Sequence, residues 1–139
     1  MNYICIECGS KFPLESNAWR GLLNLEYEKK PIDFKSAAAA KDHSLWKYID
    51  ALPFEEDDCW RDISLGEGDT PLIRIEENLY AKADYYMPTL SFKDRGAVVL
   101  MAMAKKLGAG RVIADSSGNA GTAIAAYSAR AGMKCDVFD

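Results

Sequence analysis

Gly110-Arg111-Val112-Ile113-Ala114-Asp115-Ser116-Ser117-Gly118-Asn119-Ala120-Gly121-Thr122 decides how this sequence is read. Arg111 to Asp115 is short and apolar and reads as a strand. Small residues then lead into an alanine-rich helix over Ala120 to Ala131, closed by Gly132. Lys134 to Phe138 follows as a second short strand. Strand, helix and strand at this spacing predict a βαβ unit with parallel pairing and a right-handed crossover. The fold class is therefore α/β.

Upstream, Ala97, Val98, Leu100, Met101, Ala104 and Leu107 recur at helical spacing, which predicts a helix from Asp94 to Leu107 with Gly108 just past its end. Pro71 to Ile75 and Leu79 to Lys82 read as strands around a turn at Glu76-Glu77-Asn78. The N-terminal part is less regular. Cys5-Ile6-Glu7-Cys8-Gly9 reads as a small knuckle, followed by a short strand at Leu22 to Tyr27. The Ala37 to Ala40 run favours helix, and Ser44 caps a further short helix through Leu45, Trp46, Tyr48 and Ile49 that Pro53 ends. Glu55 to Asp58 reads as a solvated acidic loop, and Trp46, Tyr48 and Trp60 as ordinary packing. We divide the chain into a leader and connecting segment, residues 1–60, and the start of the main body, residues 61–139.

The 139 residues are 49% hydrophobic and 27% charged, the balance of a folded soluble chain. The 17 Lys and Arg against 21 Asp and Glu give a net charge of −4, which offers no footprint for nucleic acid. No apolar run reaches the ~20 residues of a membrane span, and Met1-Asn2-Tyr3-Ile4-Cys5 has no secretory character. A cytoplasmic protein with four reduced thiols, Cys5, Cys8, Cys59 and Cys135, is expected. His43 is the one histidine, which argues against a His-cluster metal site or a His-based triad.

Three segments carry possible chemistry. In Ser91-Phe92-Lys93-Asp94-Arg95-Gly96 a lysine stands at a helix start after an apolar approach. Apolar surroundings and the helix dipole can lower an amine's pKa, as Schiff-base chemistry needs. By composition alone the same lysine is a solvated charge. In Asp115 to Thr122, small residues let backbone N–H groups converge at a helix start, a ready anion site. Read structurally, Ser117 or Asn119 simply caps that helix. Leu65-Gly66-Glu67-Gly68-Asp69-Thr70-Pro71-Leu72 alone is a tight turn entering a strand.

Taken together, Gly66 to Leu72, Pro88 to Gly96 and Ser116 to Gly121 resemble, in order and spacing, the pyridoxal-phosphate enzymes of the tryptophan-synthase-β fold (fold type II). Within that family they are most similar to the threonine synthase branch. Tyr3, Cys5, Cys8 and Gly9 resemble the Cys-containing leader of many of its members. The resemblance implies a three-layer fold with a parallel sheet, of which this chain is the N-terminal part. It implies pyridoxal 5'-phosphate as cofactor, with Lys93 as the catalytic residue that forms its Schiff base and shuttles protons. Asn119 would bond the cofactor's ring hydroxyl. Ser117, Gly118, Asn119 and Ala120 would line the loop holding the substrate α-carboxylate.

The implied reaction converts O-phospho-L-homoserine and water to L-threonine and phosphate. The implied partners are a small amino-acid substrate and a second copy of the chain in a homodimer. Alternatives within the fold are a cysteate synthase, a serine/threonine ammonia-lyase or a cysteine synthase; outside it stands a non-catalytic binding fragment.

Two departures qualify the resemblance. Such leaders often carry a second Cys pair, and Asn17 to Leu23 holds none, so no metal site is expected. Met87 and Leu90 stand where the family commonly has Asn and Gly. The family's phosphate loop and pyridine-nitrogen partner would lie beyond Asp139. The chain alone is therefore expected to be inactive, with apolar surface exposed.

Overall fold

The computed structural model describes residues 1–14, 16, 22–28, 30–54 and 59–139. The acidic stretch Glu55 to Asp58 and residues 17–21 lie outside the described residues.

The N-terminal sheet is antiparallel and three-stranded, with β1 (Asn2–Cys5) between β2 (Lys11–Pro13) and β3 (Leu23–Glu26). The sequence reading found β3 and missed β1 and β2, which are too short to show alternation. The Cys5 to Ser10 turn links them. The Gly9 N–H donates to Cys5 O at 2.8 Å, and Gly9 supplies the left-handed φ of 72° that this turn needs. Helix α1 (Phe34–Ala39) uses the tri-alanine of its last turn and is capped by Asp33, whose carboxylate accepts from the Lys35 and Ser36 N–H groups. Ser44 caps the next segment as expected, its Oγ accepting from Trp46 N–H at 3.2 Å. That segment, Leu45–Ala51, is a 3-10 helix kinked at Tyr48.

Helix α2 (Trp60–Ile63) opens the main body. A hairpin follows, with β4 (Leu72–Glu76) antiparallel to β5 (Leu79–Lys82). Then come α3 (Asp94–Lys106), β6 (Arg111–Asp115), α4 (Asn119–Ala131) and β7 (Lys134–Phe138). Strands β6 and β7 pair in parallel, Arg111 opposite Lys134 and Asp115 opposite Phe138, so the βαβ reading holds. Helix α4 ends at Gly132 with φ of 73°, and Gly108 lies just past α3 with φ of 78°. Both are αL stops of the kind glycine supplies without a Cβ penalty.

The core lies between α3 and α4. Small residues, Ala102 and Ala123, are fully buried there, with Val98, Met101 and Tyr127 packed around them. Trp46, Phe54 and Trp60 extend this core, the two indoles stacked 4.6 Å apart and the Phe54 ring edge-on to Trp46 at 5.4 Å. The tryptophans are thus packing residues, at 2% and 4% exposure. On this geometry Trp46→Ala is expected to cost about 3–5 kcal/mol, read as the shift in a chemical unfolding midpoint.

Large apolar side chains stay exposed on the hairpin (Leu72, Ile75, Leu79) and on the β6–β7 pair (Ile113, Val137, Phe138), matching the expectation of uncovered apolar surface. Among the described residues, no helix is long and apolar enough to cross a membrane.

Candidate active site

Each motif folds locally for its own reason, and buried polar groups then tie the motifs together. In the first, Glu67 is fully buried. Its carboxylate accepts from Ser64 Oγ at 3.1 Å, Leu65 N–H at 2.9 Å and Tyr127 Oη at 3.1 Å. A buried carboxylate needs such donors. Glu67 thereby pins the loop to the middle of α4, 60 residues away. Burial, reinforced by the Glu67 and Asp94 charges, pushes the Tyr127 phenol far above its ordinary range, so it remains the proton donor of this pair.

Thr70 and Arg95 join the first motif to the second. Asp84 accepts from Thr70 Oγ1 at 2.8 Å and from Arg95 Nη2 at 2.7 Å, and Arg95 also reaches Thr70 Oγ1 at 3.2 Å. The Arg95 guanidinium and then the Thr70 hydroxyl hold the Asp84 carboxyl below its usual range. A depressed folded-state pKa adds stability above the unfolded value, and that stability is lost as pH falls through the folded one. Asp84→Asn is therefore expected to lower the urea midpoint at pH 7 and to shrink the wild-type decline between about pH 4 and pH 2. Parallel midpoints for both proteins across that range would contradict this.

The second motif presents Lys93 at the head of α3. Asp94, fully buried, folds its carboxylate back over the preceding loop. It accepts from Thr89 N–H at 2.7 Å and from the Thr89 hydroxyl. Ser91 Oγ accepts from Lys93 N–H at 3.3 Å. Lys93 itself is exposed, its Nζ 4.7 Å from the Phe92 ring centroid. This exposure agrees with the composition-based reading of Lys93 as a solvated charge, and the Phe92 ring beside it is itself exposed.

Leu90 takes a left-handed φ of 62° and is 73% exposed. That conformation explains why glycine suits this position, while Met87 is buried at 1%. Leu90→Gly is expected to stabilise the protein by about 1 kcal/mol or less, relief of strain outweighing glycine's chain entropy. A midpoint unchanged or lowered on unfolding would show that Leu90 is unstrained.

The third motif is the start of α4. Of the two readings of this segment, the one in which Ser117 or Asn119 caps the helix is not what forms: the N-cap position is Gly118, and Ser116 supplies the side-chain acceptor. The Ser116 Oγ accepts from the Gly118 N–H at 3.3 Å and the Gly121 N–H at 3.0 Å. Ser116 sits one residue further back because Gly118 is extended there, at φ of −154°. A Cβ on Gly121 would lie 2.9 Å from Ser116 O and 2.8 Å from Val137 Cγ1, so this glycine lets loop and strand close on the helix. With Ser116 serving two donors, the N–H groups of Asn119 and Ala120 have no acceptor among the described residues. Ser117, Gly118 and Asn119 are exposed, Ala120 half-exposed, and space around the Gly118 Cα is open. No hydrogen bond joins Lys93 to this loop among the described residues.

An exposed primary amine on one helix start, and open N–H donors with small side chains on another, fit a cofactor bearing an aldehyde and an anionic substrate. The amine can bond the carbonyl carbon, and helix-start N–H groups suit a carboxylate. The cysteine knuckle is separate. The Cys8 sulfur lies 3.1 Å from Ser10 Oγ, and the Ser10 hydroxyl and backbone, able to donate to a thiolate, hold its pKa below the ordinary thiol range. All four cysteines are free thiols, and the described residues contain no group of three metal-ligating side chains.

Comparison with known sequences places this geometry. The profile of the pyridoxal-phosphate dependent enzyme family matches residues 63–138, which span all three motifs and Lys93. The chain belongs to the pyridoxal-phosphate dependent enzyme family. Among curated relatives it is 34% identical to a threonine synthase of Methanocaldococcus jannaschii, over 96% of this chain and 36% of the relative. It is 33% identical to one of Methanosarcina acetivorans, over 93% and 34% of the two chains. It is 43% identical to one of Halalkalibacterium halodurans, over 67% and 28%. The chain thus spans about a third of the length of these relatives.

Proposed function

We propose that this chain is the cofactor-anchoring part of a threonine synthase, which converts O-phospho-L-homoserine and water to L-threonine and inorganic phosphate. The Cγ–O bond to phosphate and one Cβ–H bond break, Cγ gains a proton, and Cβ bonds the oxygen of water, which gives up a proton in turn. The observation that carries the reading is an accessible Lys93 amine, set at a helix start by a buried polar loop, in a chain whose relatives are named threonine synthases.

Pyridoxal phosphate, when bound, withdraws electrons from the substrate carbons. The rest falls to the chain's residues. Lys93 holds the cofactor through Nζ and, once released, moves protons between substrate carbons from that atom. The Asn119 side chain bonds the cofactor's ring hydroxyl. Ser117, Gly118, Asn119 and Ala120 bind the α-carboxylate through the open first turn of α4. We place the protein in the cytoplasm as a homodimer, with residues 1–60 as leader and 61–139 as the beginning of the catalytic region. Residues 1–139 by themselves are proposed not to turn over.

Phosphate release from O-phosphohomoserine by the full-length gene product tests this. Threonine and phosphate formed in equal amounts support it. Turnover of O-phosphoserine with sulfite instead, or of threonine to a keto acid, would assign another reaction of the family.

A further inference from the structure

We infer that Thr89 and Asp94 are positioning residues that keep the Lys93 amine available for reaction. The inference rests on the reading of Lys93 as the cofactor's attachment point. A carboxylate close to an ammonium favours the charged, unreactive form, so where the carboxylate next in the chain to Lys93 is held matters to the amine. Here the neighbouring carboxylate is turned away. Asp94 is fully buried, and both of its oxygens are engaged by Thr89, one by the backbone N–H at 2.7 Å and the other by the hydroxyl.

The loop from Thr89 to Lys93 is thereby closed on itself beneath the lysine, while Lys93 stays exposed over Phe92. The other groups around Asp94 reinforce this inward setting. Tyr127 of α4 feels the Asp94 charge, and its hydroxyl is committed to Glu67. Arg95, the cation on the other side of Asp94 in sequence, is committed to Asp84 and Thr70. Asp94 thus depends on Thr89 for its donors. Loss of the hydroxyl frees one carboxylate oxygen to turn toward the adjacent ammonium.

The test reads Lys93 without the cofactor. The full-length protein is treated with a limiting amine-acetylating reagent. The modification rate at Lys93 is then measured by mass spectrometry against Lys105 and Lys106 in the same sample. Thr89→Val is expected to slow labelling of Lys93 roughly tenfold, because a carboxylate beside an ammonium favours its charged form, with Lys105 and Lys106 unchanged. Thr89→Ser, which keeps the hydroxyl, is expected to label as wild type. Thr89→Val combined with Asp94→Asn is expected to recover labelling, because no carboxylate remains to capture the amine.

Circular dichroism establishes that each variant is folded; if the valine variant is not, Thr89→Ala is read in its place with the same expected order. Wild-type labelling in the folded Thr89→Val protein would overturn the inference, as would equal slowing in the serine and valine variants. A wild-type protein that takes no cofactor at Lys93 would instead refute the functional reading, and the labelling rates would still judge the clamp.

Discussion

Lys93→Ala in the full-length protein is expected to lower turnover by at least about 10³-fold, into the background. Both its proposed tasks, holding the cofactor and moving protons, pass through one atom, and positioned acid–base catalysis alone contributes about 10²–10⁴-fold. No other amine stands in the motifs: Arg95 is engaged by Asp84, and the third motif contains no lysine. Lys93→Arg is expected to be equally inactive, because a guanidinium keeps the charge but is not a nucleophilic amine. That comparison separates an electrostatic role from a covalent one. The fold should survive both changes, since the Lys93 side chain is exposed. Steady-state kinetics with matched unfolding midpoints checks this; either variant retaining a tenth of wild-type turnover would place the chemistry elsewhere.

Gly68→Ala is expected to cost about 2–6 kcal/mol of stability, and little of it is recoverable by relaxation. Gly68 has φ of 129°, a region closed to residues with a Cβ. An added Cβ would stand 2.6 Å from Leu45 N and 2.9 Å from Ser44 C, both backbone atoms that cannot rotate away. Strain of about 1–3 kcal/mol for the backbone and a similar amount for overpacking give the total. The site of the clash matters, because Leu45 N–H donates to Glu67 O at 2.6 Å. Opening that joint would loosen the loop holding Glu67 and the 3-10 segment holding Trp46 together. Equilibrium urea unfolding reads the loss; a change below about 1 kcal/mol would show that the loop has room.

The sequence was most legible where neighbouring residues set the structure. Arg111 to Asp115, Lys134 to Phe138 and the helix between them were read to within a residue, because short apolar runs and a glycine stop need no distant partner. The β4–β5 hairpin was legible for the same reason. What escaped is long-range. Glu67, between two glycines, read as part of a turn, and nothing nearby announces that Tyr127 donates to it from 60 residues away. Asp84 drew no notice, although it anchors Thr70 and Arg95. The sequence around Asp94 announces no partner for it, since its five-residue return to Thr89 goes with a rare backbone conformation at Leu90. At the start of α4 the sequence offers Ser117 or Asn119 as a cap, whereas an extended Gly118 at the N-cap position brings the hydroxyl of Ser116 to the Gly121 N–H.

The most direct test of the central claim is to load the full-length protein with pyridoxal phosphate, reduce with borohydride and map the modified lysine by mass spectrometry. One stoichiometric adduct is expected, at Lys93, absent from Lys93→Ala. Adducts scattered over surface lysines, or a single adduct at another residue, would contradict it.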